Sequence, residues 1–315
     1  MKNAYAIWEA YENSKKQGFT ASESYLQIQD DLIKICEKEG VSALVMTISE
    51  ISDSFYLNQD AEFFLTRLVN ILAAEGYYFD EQIGILAEKL SDKFPDSILI
   101  ITILGDIYGT IINQSRSDYY IRKLENLSKQ YPNIAAVALQ QAYTLMYSYR
   151  KKEIEDYSIA VEDIKYLYEK HLQPKFAIVY ASGLKNLADK QSEKDAVITL
   201  DILEKLMNGW DEPIIASAYL DALCKFTRKQ DQYGCAETIN KIETLWDNCK
   251  YQQSDLAMNL AYSLANYSLC FDGQEKQLIL DRIDGLSEYW IPAKRIADEL
   301  KNGIASYAHK PVKAK

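Results

Sequence analysis

The amino-acid sequence predicts an all-α protein, an α-solenoid built from consecutive antiparallel helix pairs. Three observations support this prediction: apolar residues recur at helical spacing, small residues recur at a fixed interval after them, and prolines fall between the two. Glycine is scarce, with 12 in 315 residues, and strand-like alternation is nearly absent. We therefore expect each repeat to be one helix pair that stacks on the next.

The first repeating feature is a pair of apolar residues three or four positions apart, such as Leu203 and Leu206. Residues at this spacing lie on one face of an α-helix, so each pair marks the buried face of the first helix of a repeat. The leading members of the pairs are separated by 38, 40, 39, 39 and 41 residues. They are Leu86, Leu124, Ile164, Leu203, Ile242 and Ile283.

The second feature is a small residue that follows each leading apolar residue by 18 to 20 positions. A side chain of at most one carbon lets two helix backbones approach closely. We therefore expect the second helix of each repeat to contact its neighbour at these positions. They are Gly105, Ala142, Gly183, Ala222, Ala261 and Gly303.

Prolines mark the boundary between the two helices. Five of the six prolines occupy the same phase of the repeat, and they are Pro95, Pro132, Pro174, Pro213 and Pro292. Proline ends one helix and is tolerated in the first turn of the next. The alternative is a helical bundle in which this spacing is accidental.

The repeat also divides the chain. Residues 1–45 contain helical stretches that are out of phase with it, which predicts an acidic helical cap. Residues 46–308 are predicted as the solenoid, and residues 309–315 as a flexible basic tail. We expect one continuous domain.

One repeat resembles a known family at the level of motif. Leu104, Gly105 and Tyr108 form an L-G-x-x-Y motif that starts nine residues after Pro95, and this motif is similar to the tetratricopeptide repeat (TPR). The family's tryptophan is missing and the period is about 39 rather than 34, so the HEAT repeat is a second choice on period alone. The TPR resemblance implies a right-handed superhelix whose second helices line a concave surface that binds proteins or peptides.

Net charge favours a basic protein partner. The chain carries −11 overall, and residues 1–92 hold 7 Lys and Arg against 16 Asp and Glu. Such acidity disfavours a nucleic-acid partner, which requires basic surfaces. The first residues lack the apolar stretch of a secretory signal, and no apolar run approaches the roughly twenty residues of a membrane span. We expect a cytoplasmic protein with no membrane partner.

Residue types that carry enzyme chemistry are few. The chain has two histidines, His171 and His309, and five scattered cysteines, which we expect to be reduced. No nucleotide-binding, zinc-protease or nucleophile-elbow motif occurs, so we expect no catalytic residue, cofactor or metal ion. The alternative is a helical-repeat enzyme or a nucleic-acid-acting protein such as a HEAT-like DNA glycosylase, which requires a basic concave face.

Tyrosine is abundant, with 24 residues, and it recurs near the small residues of the second helices. Stacked repeats would align these positions into rows on the concave face, where tyrosine suits recognition of another chain. The alternative is that these tyrosines pack in the core. The predicted binding residues are Asp106, Tyr143, Tyr147, Tyr180, Tyr219, Tyr262 and Asn266.

The function predicted from these features is a protein-protein interaction scaffold that holds a protein or peptide on its concave face. A sharper hypothesis is neutralisation of a basic protein, as an immunity protein or antitoxin does, because the acidic first third would speed association and cover a basic site. The sequence leaves open which protein is bound.

Overall fold

The computed structural model describes residues 4–55, 64, 66, 67, 69, 81–246 and 252–304. The chain divides into two compact units, Met1–Thr144 and Leu145–Lys315, which we call the N-terminal and C-terminal units.

The described residues include fifteen α-helices with defined ends and no strand, which confirms the all-α prediction for this part of the chain. The first seven are α1 (Ala4–Lys16), α2 (Ala21–Glu39), α3 (Val41–Phe55), α4 (Glu81–Lys93), α5 (Ile98–Ser115), α6 (Asp118–Gln130) and α7 (Ala135–Tyr149), which contains the division between the units. The others are α8 (Ile154–His171), α9 (Pro174–Lys190), α10 (Glu193–Gly209), α11 (Pro213–Phe226), α12 (Gln232–Thr244), α13 (Gln253–Ser268), α14 (Gly273–Gly285) and α15 (Pro292–Lys301). Two short 3-10 helices, Thr227–Lys229 and Leu286–Glu288, follow α11 and α14.

From α4 onward the helices alternate with the predicted period. We call the even-numbered helices α4 to α14 the first helices and the odd-numbered helices α5 to α15 the second helices. The second helices begin at residues 98, 135, 174, 213, 253 and 292, which are 37, 39, 39, 40 and 39 residues apart. The predicted repeat of two helices per period of about 39 residues is therefore confirmed over this stretch.

The prolines occupy the predicted boundary in two ways. Pro174, Pro213 and Pro292 lie in the first turn of a second helix, where the missing amide hydrogen has no intrahelical acceptor to lose. Pro95 and Pro132 lie three residues before their helices. After Pro95, the Ser97 hydroxyl accepts a hydrogen bond from the Ile100 amide and caps α5.

Helices α8 and α9 run antiparallel to each other. Tyr157, early in α8, donates to the carbonyl of Gly183 in the second half of α9 at 3.5 Å. Tyr168, near the end of α8, stacks on Tyr180 in the first half of α9, with ring centroids 5.5 Å apart. In the C-terminal unit α9 also packs on α11, α11 on α13 and α13 on α15, so the second helices form a row.

Five of the six predicted small residues are buried in second helices. A Cβ on Gly105 would lie 3.1 Å from Val137 Cγ2 and 3.4 Å from Val137 Cα, so α5 and α7 approach closely there. Gly183 is less constrained, because a Cβ there would meet Val161 at an ordinary 3.5 Å. The remaining three are Ala142, Ala222 and Ala261.

Gly303 corrects the sixth prediction. It follows the end of α15 with φ +72°, and a Cβ built on it would have no neighbour within 4 Å. Its role is to end the helix in a left-handed conformation that side chains disfavour, rather than to let two helices approach.

Side-chain hydrogen bonds repeat with the same period as the helices. Many join residues 34 to 42 positions apart, so each links one repeat to the next. The pairs are Lys123–Glu88, Gln140–Asp106, Tyr131–Pro95, Lys190–Lys152, Trp210–Tyr168, Lys241–Glu204, Asn266–Thr227 and Arg282–Glu243. Contacts between neighbouring repeats are the expected pattern of a repeat protein.

Helices α1 and α2 lie within residues 1–45, the range predicted as a cap, and they pack on each other and on α3. The helix break lies at Gly40, with φ +82°, so the predicted boundary after residue 45 falls inside α3. The extent of the solenoid over residues 46–308 stays a prediction. The predicted tail, residues 309–315, lies outside the described residues.

One described helix, α5, is long and apolar enough to cross a membrane. More than half of it is buried inside the protein, which is also the pattern of a core helix. Buried side chains of α5, among them Ile101 and Leu104, belong to the core of the N-terminal unit.

Candidate interaction surfaces

Three of the predicted binding residues are buried, which contradicts their assignment to an exposed surface. Tyr180 packs on the ring of Tyr168. Tyr219 is fully buried, and the Lys241 ammonium lies 5.6 Å from its ring centroid. Asn266 is buried and its amide donates to Thr227 Oγ1 at 2.9 Å, which ties α13 to the end of α11.

Helix geometry explains the error for the two tyrosines. Tyr180 and Tyr219 lie three positions before Gly183 and Ala222, which places each about 60° around the helix from a buried small residue. They therefore belong to the packed face. Asp106, Tyr143 and Tyr262 follow their small residues by one position, about 100° around the helix, and they are partly exposed.

The remaining predicted residues lie at or near the surface. Tyr147 on α7 is 54% exposed. Tyr262 on α13 is partly exposed and lies 5.5 Å from the ring of Trp290. Asp106 accepts a hydrogen bond from Gln140 Nε2 at 2.8 Å, so this carboxylate joins α5 to α7 within the N-terminal unit. Asp106 and Tyr143 belong to the N-terminal unit, and Tyr147 and Tyr262 belong to the C-terminal unit.

Sequence reasoning missed a row of charged residues on α9 and α11. Lys185 Nζ lies 3.1 Å from Asp221 Oδ2, and Lys225 Nζ lies 3.7 Å from Asp189 Oδ2 and 3.5 Å from Asp221 Oδ2. All four side chains are partly exposed. The sequence could have indicated these pairs, because Lys185 and Asp221, and likewise Asp189 and Lys225, are separated by 36 residues, close to one period.

These four residues define the accessible side of the second helices in the C-terminal unit. This accessible side also includes partly exposed residues at helical spacing on α9, α11 and α13. They are Ile178 and Ser182 on α9, Ser217 on α11, and Met258 and Tyr262 on α13. We call this set, with Lys185, Asp189, Asp221 and Lys225, the second-helix surface. Its two lysines and two aspartates balance, so this surface is mixed in charge rather than acidic.

A polar groove of about 650 Å³ lies at the loops that follow α9 and α11. Its lining includes Lys229, whose ammonium donates to the carbonyls of Ala188 and Asp189 at 2.8 Å and of Gln191 at 2.5 Å. Burial lowers the pKa of Lys229 below its ordinary value, and the negative charge of Asp189 offsets only part of this effect. The groove is therefore organised around a lysine that caps the end of α9.

Two cysteines described in the C-terminal unit are protonated thiols. Cys224 and Cys235 are buried, and burial raises their pKa values to about 11 and about 12. The thiolate is the reactive and metal-binding form, so these cysteines are chemically quiet at neutral pH. Within the described ranges, no group of three or more His, Cys, Asp or Glu side chains is placed to hold a metal ion.

His171, the one histidine in the described part of the chain, packs against an aromatic ring. It stacks on Phe176 with centroids 4.8 Å apart, and burial lowers its pKa. This is the environment of a packing residue at the turn between α8 and α9.

No protein family, curated protein or solved structure matches this chain. The relation to helical-repeat proteins therefore depends on the packed helix pairs and on the motif residues themselves. Of the latter, Leu104 and Gly105 are buried in α5, and Tyr108 donates to Glu88 Oε1 of α4 at 2.8 Å.

Proposed function

We propose that this protein is a cytoplasmic interaction scaffold that binds a protein or peptide on its second helices. It is a binding protein rather than an enzyme in this proposal. The arrangement that we infer is a right-handed α-solenoid of the TPR type, with the HEAT type as the second choice. The second helices would then line its concave face.

The observation that carries this proposal is the row of second helices in the C-terminal unit. Because α9, α11, α13 and α15 pack in sequence, residues on their accessible side form one extended surface. Its mixture of Tyr262, Met258 and paired charges offers both apolar contact and directional polar contact. An extended surface of this kind suits a bound segment better than a small molecule, which requires an enclosed pocket.

The partner class that we propose is a basic protein, of the kind that an immunity protein or antitoxin neutralises. The charge of the first 92 residues supports this choice. Part of this negative charge is neutralised within the protein, since Asp53 accepts hydrogen bonds from Lys89 at 2.7 Å and from Lys93 at 2.5 Å. Other acidic residues, including Glu9, Glu37 and Glu50, are exposed.

Site-specific photo-crosslinking tests the proposed surface. Tyr262 of the second-helix surface and Tyr147, a predicted binding residue on the second helix α7, would each be replaced by benzoylphenylalanine in the host cell, with Tyr233 as the control. Tyr233 is 73% exposed and lies on the first helix α12. We expect one protein to be cross-linked from positions 147 and 262 and not from 233.

The electrostatic part of the proposal has a separate test. The cross-linked protein should be basic, and its complex should weaken as salt rises from about 0.05 to 0.5 M, because exposed charge pairs are screened. An acidic partner or a salt-independent complex would contradict a basic partner. Cross-linking from position 233 alone would contradict the second-helix surface.

A further inference from the structure

The first helices α8 and α10 carry large apolar side chains on their outward faces. These residues are on first helices, so they are not part of the second-helix surface. Their exposed fractions are 64% for Ile159, 63% for Tyr166, 52% for Val197, 60% for Ile198 and 38% for Ile202. We call these five residues the outer patch.

The outer patch extends over two neighbouring helices. Helix α9 packs on both α8 and α10, and Trp210 Nε1 at the end of α10 donates to Tyr168 Oη near the end of α8 at 3.0 Å. On α8, Ile159 and Tyr166 are seven positions apart and share one face. On α10, Ile198 and Ile202 share a face in the same way.

The apolar residues also recur at a fixed place in the repeat. Ile159, Ile198 and Leu278 are each the sixth residue of their helix, in α8, α10 and α14. Helix α12 has Glu237 at this place, so Leu278, although 61% exposed, is separated from the patch. Single exposed apolar residues are ordinary, whereas a cluster on adjacent helices indicates an interaction site.

Acidic residues surround the outer patch. Helices α8 and α10 together contain nine Asp and Glu against four Lys, a balance of −5. Glu155, Glu162 and Glu169 alternate with Ile159 and Tyr166 along the exposed side of α8. Asp201 precedes Ile202 on α10 and pairs with Lys205 at 2.7 Å.

We propose that the outer patch docks a basic amphipathic helix of a partner protein. The apolar side of that helix, with residues at i, i+3, i+4 and i+7, would cover Ile159, Tyr166 and the α10 residues. Its flanking Lys and Arg would meet the glutamates of α8. A second copy of this chain or an anionic lipid surface would instead place negative charge against negative charge.

The test uses the full chain and a defined probe. The probe is a fluorescein-labelled helical peptide of Leu and Lys, with Leu at i, i+3, i+4 and i+7, and a matched peptide has Glu in place of each Lys. Binding is measured by fluorescence anisotropy. We expect the Lys peptide to bind at least about tenfold more tightly than the Glu peptide, which corresponds to about 1.4 kcal/mol.

Three variants locate the binding site. Ile159→Ser combined with Ile198→Ser removes two apolar contacts and should weaken binding by about tenfold or more. Glu155→Lys combined with Glu162→Lys should weaken binding and lower its salt dependence. Leu278→Ser is the matched control, since it removes an equally exposed residue at the same repeat position, and it should leave the affinity unchanged. All of these side chains are exposed, so circular dichroism should show native helicity.

The results that would overturn the proposal differ from those that bear on the second-helix surface. Equal affinity of Ile159→Ser/Ile198→Ser and the unsubstituted chain would refute the outer patch as the binding site. So would equal binding of the Glu peptide, or a dimer that this double variant abolishes in sedimentation analysis. None of these results depends on cross-linking at positions 147 and 262.

Discussion

Gly105 and Gly183 occupy equivalent places in two repeats but face different space. A Cβ on Gly105 would lie within 3.4 Å of the backbone of Val137, whereas one on Gly183 would meet only side-chain atoms of Val161 and Ile164, at 3.5 Å or more. Glycine at position 105 therefore allows two helices to approach closely, whereas position 183 has room for a methyl group.

This difference predicts opposite effects of alanine at the two positions. Gly183→Ala should stabilise the protein by up to about 1 kcal/mol, because alanine favours helix more than glycine does. Gly105→Ala gains the same propensity but has to push Val137 away, and overpacking of this kind costs about 1–3 kcal/mol. Urea denaturation followed by circular dichroism compares the two. A Gly105→Ala variant as stable as Gly183→Ala would contradict the close approach.

Tyrosines of the second helices divide in the same way between core and surface. Tyr219→Ala should destabilise the C-terminal unit by about 3–5 kcal/mol, since it removes a fully buried aromatic ring. Tyr147→Ala should change the free energy of unfolding by no more than about 0.5 kcal/mol, because that side chain is 54% exposed. Thermal unfolding of the two variants measures the contrast. A near-neutral Tyr219→Ala would show that this ring does not contribute to the core.

At the scale of the element, lysines of the following repeat donate to carbonyls at the end of α9 and in the turn that follows α7. Lys229 donates to three carbonyls around the end of α9, and Lys190 donates to the carbonyl of Lys152 at 3.0 Å after α7. The last carbonyls of a helix have no intrahelical partner and carry partial negative charge, so an ammonium group there stabilises the helix end.

Removal of this cap should destabilise α9. Lys229→Met keeps the length of the side chain and loses the donor, so we expect a loss of about 1–3 kcal/mol, the cost of leaving partly buried carbonyls without a hydrogen bond. Hydrogen exchange at the end of α9 should accelerate. Lys194→Met is the control, as Lys194 is exposed on α10 and its change should cost less than about 0.5 kcal/mol. Equal losses would refute the capping role.

Ion pairs between first helices follow one arrangement in the C-terminal unit. Glu204 of α10 pairs with Lys241 of α12 at 2.6 Å, and Glu243 of α12 pairs with Arg282 of α14. In both cases the carboxylate lies on the earlier helix. These pairs are partly exposed, so each contributes little to stability, but their recurrence indicates that neighbouring first helices keep one register.

At the scale of the whole molecule, both units contain buried tyrosines. Burial raises the pKa values of Tyr11 and Tyr25 in the N-terminal unit, and of Tyr180 in the C-terminal unit, to about 12 from the ordinary 10.0. The folded state thus holds these protons more tightly than the unfolded state. The stability that they contribute is present below pH 10 and is lost as pH rises towards 12.

Alkaline unfolding should therefore accompany tyrosine ionisation. The urea midpoint should fall between about pH 10 and 12, and tyrosinate absorbance should increase together with the loss of helicity. Tyr180→Phe keeps the ring without the ionisable group, so its stability should fall less steeply over this range. An unchanged slope in that variant would show that Tyr180 does not contribute to the alkaline transition.

The all-α class, the period of about 39 residues and the proline-marked helix boundaries were predictable from the sequence. These features arise from local chemistry: apolar spacing indicates a helix face, and proline has few permitted positions in a helix. Four predicted binding residues, namely Asp106, Tyr143, Tyr147 and Tyr262, are at least partly exposed. The prediction that Gly303 lies at a helix contact was wrong, because its spacing fits the repeat although it lies after the last helix.

Side-chain exposure was decided only by the tertiary structure. Tyr219 and Asn266 lie on second helices that have a first helix and other second helices packed around them, so most of their circumference is buried. Ile159 and Ile198 are large and apolar, which favours a place in the core, yet both are exposed on first helices. The sequence by itself determined that helix pairs recur; which face of each helix meets water depends on how neighbouring pairs pack, because burial is a property of the packed assembly rather than of one helix.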